Sequence, residues 1–175
     1  MRGFLLGILI ALAAAIIAIY AGAKMGYIYL GADKKPSFAE STFAMSVLDA
    51  SIARNIAGVS NPLSLTEDNI ESGAKIYIGH CAGCHGVPAN PDSQFARSFY
   101  PPVPGFFRIP PDMSEAQNFY IVKHGIRWTG MPAFGSTLDD TQIWQTVTFL
   151  SHITNLSPAA RHIFDPPDAP ASEAK

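Results

Sequence analysis

The chain has 175 residues, room for one small domain and its attachments. A formal charge of −2 and a pI near 6.2 offer no basic surface for nucleic acid. Hydrophobic residues make up 48% of the chain, and much of that share lies in the first thirty positions, so a membrane segment precedes an otherwise ordinary domain.

Residues 4–23 contain no charged side chain. A helix of that length rises roughly 30 Å, about the thickness of one hydrocarbon core. Arg2 lies on one side, and Lys24, Lys34 and Lys35 on the other, a count that leaves orientation open. A cleaved signal peptide is the rival reading, because Ala21-Gly22-Ala23 has the form of an A-x-A cleavage site. The apolar run is longer than a signal core of about 7–15 residues. It also continues through Met25, Tyr27, Ile28, Tyr29 and Leu30, whose tyrosines suit a membrane interface. Residues 1–30 are therefore expected to be a retained transmembrane anchor.

Residues 31–63 read as a linker with an embedded helix. Positions 31–36 are polar and turn-rich, and Ser37 with Glu40 has capping-box spacing. Met45, Leu48, Ile52 and Ile56 recur at helical intervals, which predicts a helix over 38–57 that ends at Gly58 and Asn61-Pro62. It would pack on the following domain, lie against the membrane or dock a partner.

A domain over 64–156 follows. Ser64-Leu65-Thr66-Glu67 predicts a second capping box, opening a helix that runs to about His80. From Gly86 to Pro111 the prolines at 88, 91, 101, 102, 104, 110 and 111 exclude a regular helix, and no strand alternation appears. That stretch predicts an ordered loop wrapped around a large apolar group, with Phe95, Phe99, Tyr100, Phe106 and Phe107 available to pack. Asp112 to Glu115 is expected to cap a third helix ending near Gly125. After a loop over 127–136, Thr137 or Asp139 would begin a final helix to about Asn155, with Ile143, Trp144, Val147 and Leu150 on its apolar face. From Ser157, proline, alanine and acidic residues predict a flexible tail over 157–175.

The chemistry centres on Cys81-Ala82-Gly83-Cys84-His85, which holds both cysteines of the chain. In a C-x-x-C-H run each thiol can form a thioether with a haem vinyl group, and the histidine becomes an axial iron ligand. A zinc site would need a second C-x-x-C or a paired histidine motif, and a thioredoxin-like dithiol a βαβ pattern; neither is present. One covalently attached haem c is thus expected. Because c-type attachment takes place outside the bacterial inner membrane, the amino terminus would stay in the cytoplasm and the haem domain in the periplasm.

The second axial ligand decides between electron transfer and chemistry. Candidates are Met113, Met131, His124 and His152, with Met45 ahead of the domain and His80 too close to Cys81 to reach the opposite face. Met131 is preferred, since Thr129-Gly130-Met131-Pro132 lies between two helices on an irregular segment with a rigid following residue. The predicted iron site is therefore His85 with Met131. A thioether donor favours ferrous iron and raises the potential, and two strong-field ligands suit outer-sphere electron transfer.

His80-Cys-Ala-Gly-Cys-His85-Gly86, the proline-rich loop and Gly125-Ile-Arg-Trp-Thr-Gly-Met-Pro-Ala-Phe134 together resemble class I cytochrome c over residues 64–156. The resemblance implies an all-α class I cytochrome c fold, here with an N-terminal transmembrane helix, in which the first and last helices cross. Gly73, Tyr77 and Trp144 would be crossing contacts. A loop carbonyl, of Pro102 or Pro104, would accept the Nδ1 proton of His85. Arg127 or Trp128 would face the haem propionates. Unlike the mitochondrial form with its lysine ring, residues 64–156 hold five basic side chains (Lys75, Arg97, Arg108, Lys123, Arg127) against eight acidic ones. Strong steering toward an acidic partner is not expected. The resemblance implies a membrane-tethered electron carrier rather than an enzyme, with a membrane oxidase, reductase or dehydrogenase as redox partner. The alternatives are a fixed subunit of such a complex and a haem enzyme or gas sensor with a labile sixth ligand.

Overall fold

The computed structural model describes residues 1–91, 95–107 and 109–166. Among these the regular secondary structure is helical, apart from an isolated antiparallel bridge between Val87 and Asn90. The chain forms two units, Met1–Lys34 and Lys35–Lys175.

In the first unit α1 runs over Arg2–Lys24, with no residue buried and a mean hydropathy of 2.8 in its most apolar window. Its length, about 34 Å, is enough to cross a bilayer core. Gly26, at φ +81°, lies just past its end. Beyond it the Lys34 ammonium sits 4.7 Å from the centre of the Tyr29 ring, and the Tyr29 hydroxyl donates to Asp33.

The second unit opens with α2, Phe38–Asn55, capped by the Ser37 hydroxyl accepting from the Glu40 amide at 3.2 Å. Ile52 is its buried residue, while Phe38, Phe43, Met45 and Val47 in its first half are exposed. The linker after α2 is pinned at Asn61, whose Nδ2 donates to Glu115 and to Thr148.

Next, α3 spans Glu67–His80 and a four-residue turn of helix, α4, spans Ala82–His85. The cap of α3 is Thr66, accepting from the Asn69 amide, and not Ser64. Ser64 is instead held by its carbonyl, which accepts from the Asn69 side chain. Glu67 and Asp68 then fall in the first turn, where they complement the helix dipole. A similar shift occurs at α5, Glu115–His124, whose cap is Ser114 rather than Asp112, in a reciprocal box with Gln117. For α6, Asp140–Ser151, the cap is Asp139, one of the two expected residues, boxed with Gln142. It ends at Ser151 rather than near Asn155, because the amide of the C-cap His152 turns back onto Phe149.

The most extensive packing in this unit is between α3 and α6. Gly73 allows it: a Cβ there would lie 2.0 Å from the Gln145 carbonyl oxygen and 2.8 Å from the Phe149 Cβ. The fully buried Tyr77 meets the Phe149 ring at 5.4 Å between centroids. Trp144 faces elsewhere. Its ring stacks on Phe119 of α5 at 4.1 Å, so the expected crossing role belongs to its neighbour Gln145, bonded to Asn69, and to Phe149.

The expected flexible tail is contradicted over residues 157–166. Pro158–Phe164 forms α7, capped by the Ser157 hydroxyl, with proline at a first-turn position where its missing N–H costs nothing. Ala160 and Phe164 are buried, and the Phe164 ring packs edge-on against both Tyr77 and Phe149. The Ser157 hydroxyl also donates to Glu67 at the start of α3. The tail expectation for residues 167–175 lies outside the described residues. The core divides into two clusters that both draw on α3 and α6: one around Tyr77, Cys81, Phe149 and Phe164, the other around Val122, Leu138 and Ile143.

Candidate cofactor site

The C-x-x-C-H segment is locked into the first cluster. Cys81 is buried as the C-cap of α3, its amide donating to the Tyr77 carbonyl at 2.8 Å. Its own carbonyl accepts from the amides of Cys84 and His85, which coils α4 and turns the three side chains around one short helical turn. Gly86 follows at φ +76°, and a Cβ there would lie 2.5 Å from the Pro91 carbonyl oxygen, so only glycine lets the loop close back here. The Gly86 carbonyl accepts the Tyr77 hydroxyl at 2.8 Å.

His85 is oriented from the proline-rich loop. Its Nδ1 lies 2.8 Å from the Pro104 carbonyl oxygen, which resolves the expected pair of prolines in favour of Pro104. A carbonyl can only accept, so Nδ1 carries the proton and Nε2 keeps its lone pair. The ring also stacks on Phe106 at 4.6 Å and 13°. Burial pushes the His85 pKa down, against a smaller upward effect of the Pro104 bond, which favours the neutral imidazole that a metal ligand requires.

Cys81 does not resemble the nucleophilic thiol of a redox dithiol. Burial, with a smaller contribution from Cys84, pushes Cys81 up to about 12, whereas a nucleophilic cysteine needs a depressed value. Cys84 lines a cleft of about 180 Å³ with Pro91, Arg97, Pro102 and Val103 of the long loop. Among the described residues no group of three or more His, Cys, Asp or Glu side chains could hold a metal ion by itself.

Met131 sits in the second cluster, partly buried against the group of Val122, Leu138 and Ile143. Its loop folds on itself: the Ile126 amide donates to the Met131 carbonyl at 3.1 Å, and the Met131 amide to the Thr129 hydroxyl at 3.1 Å. Gly125, at φ +67°, closes the base, where a Cβ would come within 2.8 Å of the backbone of Met131, Pro132 and Ala133. The other candidate ligands have different roles. His152 caps α6 and its Nδ1 donates to the Thr148 carbonyl, His124 lies exposed at the end of α5 beside Tyr120, and Met113 offers its carbonyl to Asn118. Met45 is exposed on α2.

The proline-rich loop joins these parts. Pro104 and Phe106 hold His85, Phe107 abuts Gly86, and Phe99 lies so close to Gly130 that a Cβ there would meet its ring at 2.5 Å. From the far side, His80 meets Phe134 edge-on at 6.2 Å. One segment, whose described residues form no regular helix apart from a 3-10 turn at Ala96–Ser98, thus touches both the C-x-x-C-H turn and the Met131 loop. Of the expected propionate neighbours, Arg127 is exposed and Trp128 is 93% exposed at φ +62°. The loop bonds of Thr129 and the stack of Phe106 on His85 were not foreseen; the Thr129 hydroxyl two residues before Met131 was a readable signal.

The family model described as cytochrome C oxidase, cbb3-type, subunit III matches residues 68–150. The chain carries a c-type cytochrome domain. No curated protein and no solved structure matches the chain. The cytochrome domain binds haem c covalently and belongs to electron transfer, and its all-helical architecture agrees with the cytochrome c fold. The residues present suit that group: a neutral histidine with a free Nε2, two neighbouring thiols, and a loop of aromatic and proline side chains. The match ends at residue 150, so α7 and its contacts with Tyr77 lie beyond it.

Proposed function

We propose that the protein is a membrane-tethered, single-haem electron carrier with His85 and Met131 as iron ligands and Cys81 and Cys84 as the thioether anchors. Bound there, haem c supplies a one-electron couple. The chain's own residues hold it: the Pro104 carbonyl fixes the His85 ring, α4 presents the two sulfurs, and the Met131 loop supplies the second donor. The observation that carries this reading is the His85–Pro104 bond, which leaves Nε2 unprotonated beside two thiols on one turn.

The unburied, apolar α1 supports a retained anchor over residues 1–30. Residues 31–63 would be the linker. The haem domain would run from 64 to 166, extended past the expected 156 because α7 is part of its core. With the amino terminus in the cytoplasm, this domain works in the bacterial periplasm. Tethering raises its concentration beside a membrane-bound oxidase, reductase or dehydrogenase, so weak docking suffices.

A second reading, a fixed subunit of a membrane oxidoreductase, is favoured by the description of the matching family as an oxidase subunit and by the exposed apolar residues of α2. Purification in mild detergent separates the two: a carrier emerges alone, a subunit with its complex. The ligand set is tested by the oxidised spectrum. Methionine-ligated ferric haem c has a weak long-wavelength charge-transfer band, which Met131→Ala should abolish. A high-spin ferric spectrum in the unmodified protein would overturn the carrier and favour a haem enzyme or gas sensor.

A further inference from the structure

We propose that Thr129 is a positioning residue that pre-forms the Met131 loop, so that the methionine is held in its binding conformation by the chain itself rather than by the iron. The proposal rests on the reading of Met131 as the sixth ligand.

Two features of the loop carry it. First, the Thr129 hydroxyl makes two bonds: it donates to the Ile126 carbonyl at 2.8 Å and accepts from the Met131 amide at 3.1 Å. The Thr129 amide reaches the same Ile126 carbonyl at 3.2 Å, and the Ile126 amide returns to the Met131 carbonyl. Residues 126–131 are thereby closed at both ends, with one hydroxyl bridging the closure.

Second, Trp128 sits at φ +62° inside this ring of bonds. A bulky side chain in the left-handed region is disfavoured and persists only where the surroundings over-determine it. Those surroundings are the bonds to Ile126 made by the very next residue. The indole gains no compensating burial, being almost fully exposed. The backbone conformation is thus held by the loop, and its result is a fixed direction for the residue three positions after Trp128. A ligand already held in place loses less freedom on binding, so a competing ligand gains less by displacing it.

Imidazole binding to the ferric full-length protein tests this, because imidazole competes for the sixth position. Thr129→Val keeps the shape and removes the hydroxyl, leaving the Met131 amide without its acceptor. It should bind imidazole about fivefold or more tightly, the size of one net hydrogen bond. Thr129→Ser should bind as the unmodified protein does. Met131→Ala separates the two levels: if it keeps the long-wavelength band, the ligand reading fails and the proposal with it. If it loses the band while Thr129→Val binds imidazole like the unmodified protein, Thr129 alone is refuted. Should Thr129→Val fail to assemble, amide exchange in the imidazole-bound ferric unmodified protein decides, because the methionine is then off the iron. A protected Met131 amide supports the proposal, and exchange at the rate of an unstructured peptide overturns it.

Discussion

The Tyr77 hydroxyl, on a ring with no solvent exposure, donates to the carbonyl of Gly86, the residue directly after His85. Burial is the larger cause, and the nearby Cys81 the smaller, of a phenol pKa pushed far above its ordinary 10.0. Tyr77→Phe should therefore cost about 1–2 kcal/mol near neutral pH, since the Gly86 carbonyl is left buried without its donor. The same residue sets an alkaline limit. Above about pH 10 the unfolded chain has released the phenolic proton and the folded chain keeps it. The folded state then binds one proton more, and unfolding free energy falls by ~1.4 kcal/mol per pH unit. Below pH 10 this contribution is fully present. Denaturant curves of both proteins at pH 7 and pH 11 should show the phenylalanine variant's deficit shrinking by about that amount. Parallel losses in the two proteins would show that Tyr77 does not titrate on unfolding.

Among elements, α7 joins the domain's periphery to the C-x-x-C-H turn through Phe164 and Tyr77. Phe164→Ala should cost about 3–5 kcal/mol in chemical denaturation, as for other buried aromatic truncations. A loss within about 0.5 kcal/mol would mean that α7 does not dock. Removing a cap is milder: Asp139→Ala should cost about 1 kcal/mol, and Asp139→Asn little, because the acceptor for the Gln142 amide survives. These two elements differ in how far the sequence disclosed them. The α6 cap was narrowed to Thr137 or Asp139 by the apolar periodic run that follows, and the box with Gln142 selects Asp139. At α3 and α5 the spacing signal fell on Ser64 and Asp112, two residues early, since Thr66 and Ser114 present the same chemistry within the same stretch. α7 was masked by composition. Its proline and alanines read as a tail, although Ser157-Pro158 is a helix start and Ala160, Ile163 and Phe164 have helical spacing. The C-x-x-C-H turn and the Met131 segment were visible as local motifs. The choice of Pro104 over Pro102 was not, because it depends on how a loop nineteen residues from His85 closes in space.

Across the whole molecule, charge is placed differently from what its sum suggests. The domain's acidic residues outnumber its basic ones, but Glu67, Asp68, Glu115, Asp139 and Asp140 sit at helix N-termini, where they complement the dipoles. The charged side chains of segments 95–107 and 126–134, which adjoin the proposed iron site, are Arg97 and Arg127. Arg127 is exposed on the Met131 loop, so an anionic reactant arriving there meets a positive charge on a domain of negative total charge, and within a Debye length of about 10 Å that local charge governs. Arg127→Glu should slow oxidation of the ferrous protein by ferricyanide several-fold at low ionic strength. The difference should vanish at about 1 M salt, where screening acts within ~3 Å. A cationic oxidant such as tris(phenanthroline)cobalt(III) should show the opposite sign. Stopped-flow rates that are the same for both proteins at every salt concentration would place the exposed haem edge away from the Met131 loop, and the partner would then have to dock elsewhere on the domain.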